Sequence, residues 1–185
     1  VNYATGETVA LASTPSASAA EVIRFTDLPD GALFNRALQG AYTPGSTFKV
    51  LTSAAWVDSS HYDPALVIMD DGHSTVSPSG ARDREGSAHG PVDLNRALRL
   101  SCNVFFGEIG ARMGGDYMLD YYDDMGLLES SMLGRLQVRT TRLSTPADDL
   151  SLVSWFSIGQ PSGSNIIQMA PLELAAILGG IANDG

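Results

Sequence analysis

One stretch constrains the fold more than any other: Tyr42-Thr43-Pro44-Gly45-Ser46-Thr47-Phe48-Lys49. Pro44-Gly45 is a turn dipeptide. After it, Phe48, Val50, Leu51, Ala54, Ala55 and Val57 fall on an apolar helical face. The chain is therefore expected to turn and enter a helix at once. Ser46 then lies in the first helical turn with Lys49 three residues on, and residues so spaced share a face. A hydroxyl with a nearby base is what an activated serine nucleophile needs. The positive end of the helix dipole disfavours an ammonium at this position, and burial works the same way, so a neutral, basic amine is expected. Of the 11 Lys and Arg residues, ten are arginines, which leaves Lys49 as the only lysine. Arginine stays protonated and cannot act as the base. Alone, Ser-x-x-Lys is a loose pattern met about once by chance in a chain of this size, and its plain reading is an exposed helix start.

The 185 residues suffice for one domain with a real core. A hydrophobic content of 44% with 17% charged residues is a globular composition. The net charge of −10 argues against nucleic acid as the main partner and gives no polybasic patch for an anionic membrane. The longest apolar run, Leu174 to Ala182, falls far short of the roughly 20 residues a bilayer requires. No signal-peptide pattern opens the chain. Cys102 is the sole cysteine, so no internal disulfide forms and the redox compartment stays open. His61, His73 and His89 show no metal-ligand spacing with one another, and no metal site is expected.

Along the chain, Ala4-Thr5-Gly6-Glu7 reads as a turn and Thr8 to Ser13 as a short strand. Ser13 to Leu33 reads as a surface connection with at most one helical turn. His61 to Gly90 is expected to be loop with one or two short strands, one around Leu66-Val67-Ile68-Met69. Pro91 stands at an expected helix start, with apolar spacing to Leu100. A second helical pattern runs from Val104 to Met113, where Gly114-Gly115 stops it, and Asp116 is the expected cap of a third helix that ends at Gly126. Gly134 to Asp149 reads as irregular, with Arg135, Arg139 and Arg142 on a solvated basic loop rather than, as the weaker alternative, one that meets an acidic substrate. Ser151 to Ile158 is an apolar segment, and Pro171 opens a last helix through Asn183.

Ser101-Cys102-Asn103 falls between two expected helices. By itself such a tripeptide is a plain cap, since Ser and Asn are favoured there. Cys102 is an unpromising nucleophile, with no histidine close in sequence, and reads as a buried small hydrophobe. Together with Ser46-x-x-Lys49, however, the triplet matches two of the three motifs that mark penicillin-binding proteins and related β-lactamases. The sequence resembles the transpeptidase domain of penicillin-binding proteins. The likeness extends through Asn35 to Gly40, Pro44 to Val50, Ser101 to Phe106, Ser157 to Gln160, Pro171 to Ala175 and Ile181 to Gly185, in order, with Thr5 to Ser16 similar to the early hairpin. It looks closest to the class B type.

The resemblance implies an α+β fold over residues 1–185 that is a partial transpeptidase domain: mainly the helical subdomain, plus a strand or hairpin from the sheet. The family's Lys-Thr-Gly motif is absent. The expectation is a chain truncated before that motif and the remaining sheet strands, without the N-terminal anchor and non-catalytic domain. The implied activity is peptidoglycan D,D-transpeptidation of D-Ala-D-Ala stem peptides, with β-lactams trapped as an ester. By resemblance Ser46 is the nucleophile, Lys49 its base, Ser101 a proton relay, and Asn103 the residue that holds the substrate amide and positions Lys49. No cofactor or metal is implied. The implied location is the extracytoplasmic face of the bacterial membrane, with the cell-wall synthesis machinery as partner. Two alternatives stand beside this: a non-catalytic module that binds β-lactams or muropeptides, and an inactive fragment of the enzyme.

Overall fold

The computed structural model describes residues 1–24, 28–84 and 87–185. In chain order its elements are α1 (Ala19–Arg24), α2 (Arg36–Gln39), a 3-10 turn (Gly45–Phe48) that runs directly into α3 (Lys49–Asp58), β1 (Ile68–Asp70), β2 (Gly90–Val92), α4 (Leu94–Leu100), α5 (Asn103–Met113), α6 (Gly115–Asp124), β3 (Met132–Leu133), β4 (Leu136–Gln137), β5 (Arg142–Ser144), α7 (Leu150–Phe156), β6 (Ile166–Gln168) and α8 (Pro171–Ala182). Helices dominate, and the strands among the described residues form three two-stranded antiparallel pairs, β1–β2, β3–β4 and β5–β6. This is the expected α+β class. The chain divides into two compact units: Val1–Tyr42 with Glu129–Thr141 and Met169–Gly185, and Thr43–Leu128 with Arg142–Gln168.

The second unit is built around α5. Its Val104, Phe105, Phe106, Ile109 and Met113 are buried, an apolar face too wide for a surface helix. Packing against α7 is close because α5 carries no Cβ where the helices touch. A Cβ on Gly107 would stand 2.3 Å from Ser154 Oγ, and one on Gly110 would stand 2.4 Å from Ser157 Cβ. Ser157 Oγ then donates to the Phe106 carbonyl at 2.9 Å. On α3 the inward face is Leu51, Thr52, Ala55 and Trp56, following Phe48. Val57 points to solvent at 44% exposure, so the buried stripe is rotated from the expected one. Phe48, Tyr122 and Phe156 meet as a ring cluster, with centroids 5.2 to 6.3 Å apart, a spacing favourable for edge-to-face contact.

Several boundaries differ from the sequence reading. Pro91 lies in β2, opposite Met69, a two-stranded edge where a missing N–H costs little. The α4 cap is Asp93, whose Oδ1 accepts from Arg96 N at 2.7 Å. Gly114, at φ +84°, ends α5 and begins α6. Asp116 therefore sits within the first turn of α6, where it favours the dipole rather than capping. The stretch read as irregular after Gly134 holds β4 and β5. Arg135, Arg139 and Arg142 are all exposed, but Arg142 lies in β5, opposite Gln168, and not in a loop.

In the first unit, Asn2 and Glu7 close a tight loop, with Asn2 N donating to Glu7 O at 2.8 Å. Thr8 to Ser13 then runs mostly exposed and forms no strand. A strand needs a neighbour for its N–H and C=O groups, and none of the described residues pairs with it. α1 spans six residues, more than the single turn expected. Ser18 and Glu21 form a reciprocal capping box there, with both contacts to Glu21 Oε2 at 2.7 Å. Residues 25–27, within the expected connection, lie outside the described residues. Leu38, Val138 and Ala170 make a small core flanked by Leu133 and Leu172. Tyr42 and Met169 exchange backbone hydrogen bonds, each 3.0 Å. None of the α8 residues is fully buried. Among the described residues no helix is long and apolar enough to cross a membrane.

Candidate active site

The turn before α3 takes an eclipsed form. Residues Gly45 to Phe48 are 3-10, not α, and the α-helix begins at Lys49. Side chains three apart eclipse in a 3-10 turn, so Ser46 and Lys49 keep the same face although the expected first α-turn is absent. Gly45 has φ +56°, which a residue with a Cβ adopts only with strain. Ser46 is exposed and Lys49 is buried.

Lys49 reaches the second polar cluster directly. Its Nζ donates to the Ser101 carbonyl at 2.5 Å, to Ser101 Oγ at 3.0 Å and to Asn103 Oδ1 at 2.6 Å. The Phe106 ring centroid lies 5.5 Å from the same nitrogen. Burial lowers the Lys49 amine to about 8, against the opposing pull of Asp83 and Cys102. The amine is thereby brought within reach of neutrality near physiological pH. The Ser46 hydroxyl makes no hydrogen bond to Lys49 or Ser101. Lys49, Ser101 and Asn103 are thus joined, and Ser46 is exposed three residues before the lysine in the chain.

The Ser101–Asn103 corner is also a helix junction. Ser101 closes α4 in the left-handed region at φ 57°, ψ 39°, where glycine is usual. This places its carbonyl and hydroxyl together on Lys49. Cys102 caps α5, its sulfur accepting from Phe105 N at 3.2 Å. Asn103 is pinned three ways: its N–H donates to Asp83 Oδ1 at 2.8 Å, Nδ2 to the Arg82 carbonyl at 2.9 Å, and Oδ1 accepts from Lys49. The tripeptide therefore caps a helix and, with the same residues, receives the Lys49 amine.

Beneath the corner, four residues gather that sequence spacing does not connect. Asp70, Asp83, His89 and Cys102 each offer one ligand atom, all within 4.8 Å of one another. His89 Nδ1 is 2.5 Å from Asp70 Oδ2, and Cys102 Sγ is 3.3 Å from the same oxygen and 3.6 Å from Asp83 Oδ2. Burial drives the Asp83 carboxyl above its usual range. In Asp70 burial also works upward, but hydrogen bonds from Gly72, Cys102 and His89 outweigh it and hold the carboxyl low. Burial pushes the Cys102 thiol up, and the residue is fully buried, as expected of a small hydrophobe. Two oxygens, an imidazole and a thiol suit a zinc-class ion. The sequence reading expected no metal. Its only usable signal was one histidine and one cysteine with β2 and α4 between them, a separation no spacing rule describes.

The sequence profile of the penicillin binding protein transpeptidase domain matches residues 1–185. The peptidoglycan D,D-transpeptidase PbpA of Mycolicibacterium smegmatis is 31% identical over 98% of this chain, which covers 39% of that protein. The peptidoglycan D,D-transpeptidase MrdA of Acinetobacter baumannii is 32% identical over 66% of this chain and 20% of its own length. Among solved structures, the D,D-transpeptidase domain of a peptidoglycan glycosyltransferase from Eggerthella lenta matches with a TM-score of 0.84 at 26% identity, covering all of this chain and 48% of that one. Penicillin-binding protein A from M. tuberculosis, solved as an imipenem acyl-enzyme complex, matches with a TM-score of 0.82 at 29% identity, over all of this chain and 45% of that one. The chain thus spans less than half the length of each relative. With the serine and lysine motif, the Ser-x-Asn corner and the whole length accounted for by one profile, the chain belongs to the penicillin-binding protein transpeptidase domain family.

Proposed function

We propose that the protein is a peptidoglycan D,D-transpeptidase that acts through an acyl-enzyme on Ser46. The observation that carries this is the lysine: a buried amine lowered to about 8 and bonded to a serine hydroxyl. Ser46 Oγ attacks the penultimate D-Ala carbonyl, and its proton passes to Lys49. Of the three groups that receive Lys49, only the Ser101 hydroxyl can also donate. It therefore supplies a route for that proton to the leaving D-Ala amine as the C–N bond breaks. An amine of a second stem peptide then displaces Ser46 and completes the cross-link. The Ser46 N–H, at a helix N-terminal end, suits one half of an oxyanion hole. Asn103 holds Lys49 in place, and its remaining hydrogen-bond capacity is available to a substrate amide. β-Lactams acylate the same hydroxyl. The work is done on the extracytoplasmic face of the membrane, with the cell-wall synthesis machinery as partner.

In the protein as its full reading frame encodes it, labelled penicillin should add one equivalent of drug, and Ser46→Ala should abolish the labelling. Labelling of the alanine variant would remove Ser46 as the nucleophile. Steady release of D-Ala from a model peptide separates turnover from a sensor that binds without reacting further.

The donor cluster supports a second, structural reading. We infer that Asp70, Asp83, His89 and Cys102 hold a zinc-class ion. Such an ion would supply charge neutralisation and cross-bracing beneath the Ser101–Asn103 corner, with no part in acyl transfer.

A further inference from the structure

The scheme above leaves one group beside the nucleophile without a task. The turn that follows α7 is locked to the helix end: Gly159 N donates to Phe156 O at 2.9 Å and Gln160 N to Trp155 O at 3.2 Å. The same turn grips the nucleophile segment at two points. Thr52 Oγ1 donates to Ser157 O at 2.7 Å, and Gly45 N donates to Gly159 O at 3.0 Å. Gly159 is buried at φ +69°, and a Cβ there would stand 2.2 Å from the Gly45 carbonyl oxygen and 2.6 Å from Phe48 Cβ. The backbone before Gln160 is therefore pressed against the residue that precedes Ser46, and little freedom remains in where Gln160 begins.

Its side chain comes back over the same place. Gln160 Nε2 lies 3.4 Å from the point where a Cβ on Gly45 would stand. The residue is exposed, and its carboxamide makes no hydrogen bond to any described residue. A neutral amide with two N–H donors and a carbonyl acceptor matches the donor and acceptor pattern of peptide backbone. Gln160 thus presents an amide donor, unpartnered among the described residues, next to the residue that precedes Ser46.

We propose that Gln160 is a further substrate-contacting residue, whose carboxamide N–H donates to a backbone carbonyl of the acyl-donor peptide beside Ser46. The proposal rests on the transpeptidase reading and extends it to how the donor peptide is held. The contact is made on binding and is kept through acylation, so its loss shows in KM more than in kcat.

The test uses the protein as its full reading frame encodes it. KM and kcat are measured for D-Ala release from a peptide ending in D-Ala-D-Ala, beside Tm and penicillin labelling. Gln160→Ala removes the amide, and Gln160→Glu keeps its shape without the N–H. Both should raise KM about three- to tenfold, the worth of one ordinary hydrogen bond, with kcat within about twofold. Tm should move by no more than about 2 °C, as for a surface change. An unchanged KM in both variants overturns the proposal. So does a glutamate variant as good as glutamine, because the donor would then be unused. A KM change accompanied by a Tm loss of several degrees overturns it too, since the residue would then only brace the turn. Failure of the unsubstituted protein to label at Ser46 is a different outcome, which removes the transpeptidase reading itself.

Discussion

The depressed Lys49 amine gives the most exposed prediction. With its amine at about 8, roughly 9% of Lys49 is neutral at pH 7 and about half at pH 8. If neutral Lys49 takes the Ser46 proton, the second-order rate of acylation by a labelled penicillin should rise about fivefold between those pH values and level off above about pH 9. A lysine at the ordinary value of about 10.4 would be roughly 0.04% neutral at pH 7, and the rate would climb about tenfold per unit with no plateau before pH 9.5. Stopped labelling on a gel at half-unit steps from pH 6 to 9.5 distinguishes the two curves. A log-linear rise through pH 9.5, or a rate indifferent to pH over this range, would refute the reasoning. Stability supplies an independent readout. The unfolded chain binds the lysine proton more tightly than the fold does, so between about pH 8 and 10.4 it carries more protons. The Lys49 contribution therefore opposes folding below pH 8 and is relieved as pH rises through that window, by about 3 kcal/mol. Subtracting the stability–pH curve of Lys49→Met from that of the parent should reveal this upward slope.

Three other outcomes follow from the geometry. Gly159→Ala combines a left-handed backbone with a 2.2 Å approach to the Gly45 carbonyl, which should cost about 2–5 kcal/mol and lower Tm by about 5–15 °C in calorimetry. Ser101→Ala keeps the Ser101 carbonyl that receives Lys49 but removes the relay hydroxyl; D-Ala release measured by chromatography should fall about 10²- to 10⁴-fold with the fold intact by circular dichroism. Added zinc should raise Tm, and a chelator should reverse the rise. Proton release should accompany binding, because the raised Cys102 thiol must ionise to become a ligand; Asp70→Asn with Cys102→Ser should abolish both signals.

What the sequence could reveal depended on how local the cause was. The Ser46–Lys49 relation and the Ser101–Asn103 corner were legible because each depends on neighbours a few residues away. Their meeting was legible only through the resemblance, since Lys49 and Ser101 are 52 positions apart. The Ser18–Glu21 capping box was present in the sequence and went unread, so α1 came out longer than the single turn allowed for it. Thr8 to Ser13 failed for the opposite reason: β-branched composition suggested a strand, but pairing is decided by another segment, and none of the described residues supplies one. The rotation of the α3 stripe reflects tertiary choice, for Trp56 and Thr52 found burial and partners that hydropathy alone does not foresee. The Asp70–Cys102 group lay beyond any spacing rule, because the β1–β2 pairing and the α4–α5 junction bring its members together from 70, 83, 89 and 102.

Ser101 has one more consequence. Its carbonyl and its hydroxyl both receive Lys49, and both hang from a backbone that a serine adopts only at a cost of about 1–2 kcal/mol. Two contacts that look redundant thus depend on the backbone conformation of a single residue. If that residue relaxed toward the ordinary helical region, both would leave the amine in one motion, with Asn103 left as its remaining tether. Lys49, Ser101 and Asn103 accordingly act as one latch, and Asp83, which accepts from Asn103 N at 2.8 Å, fixes the side of it that does not depend on Ser101.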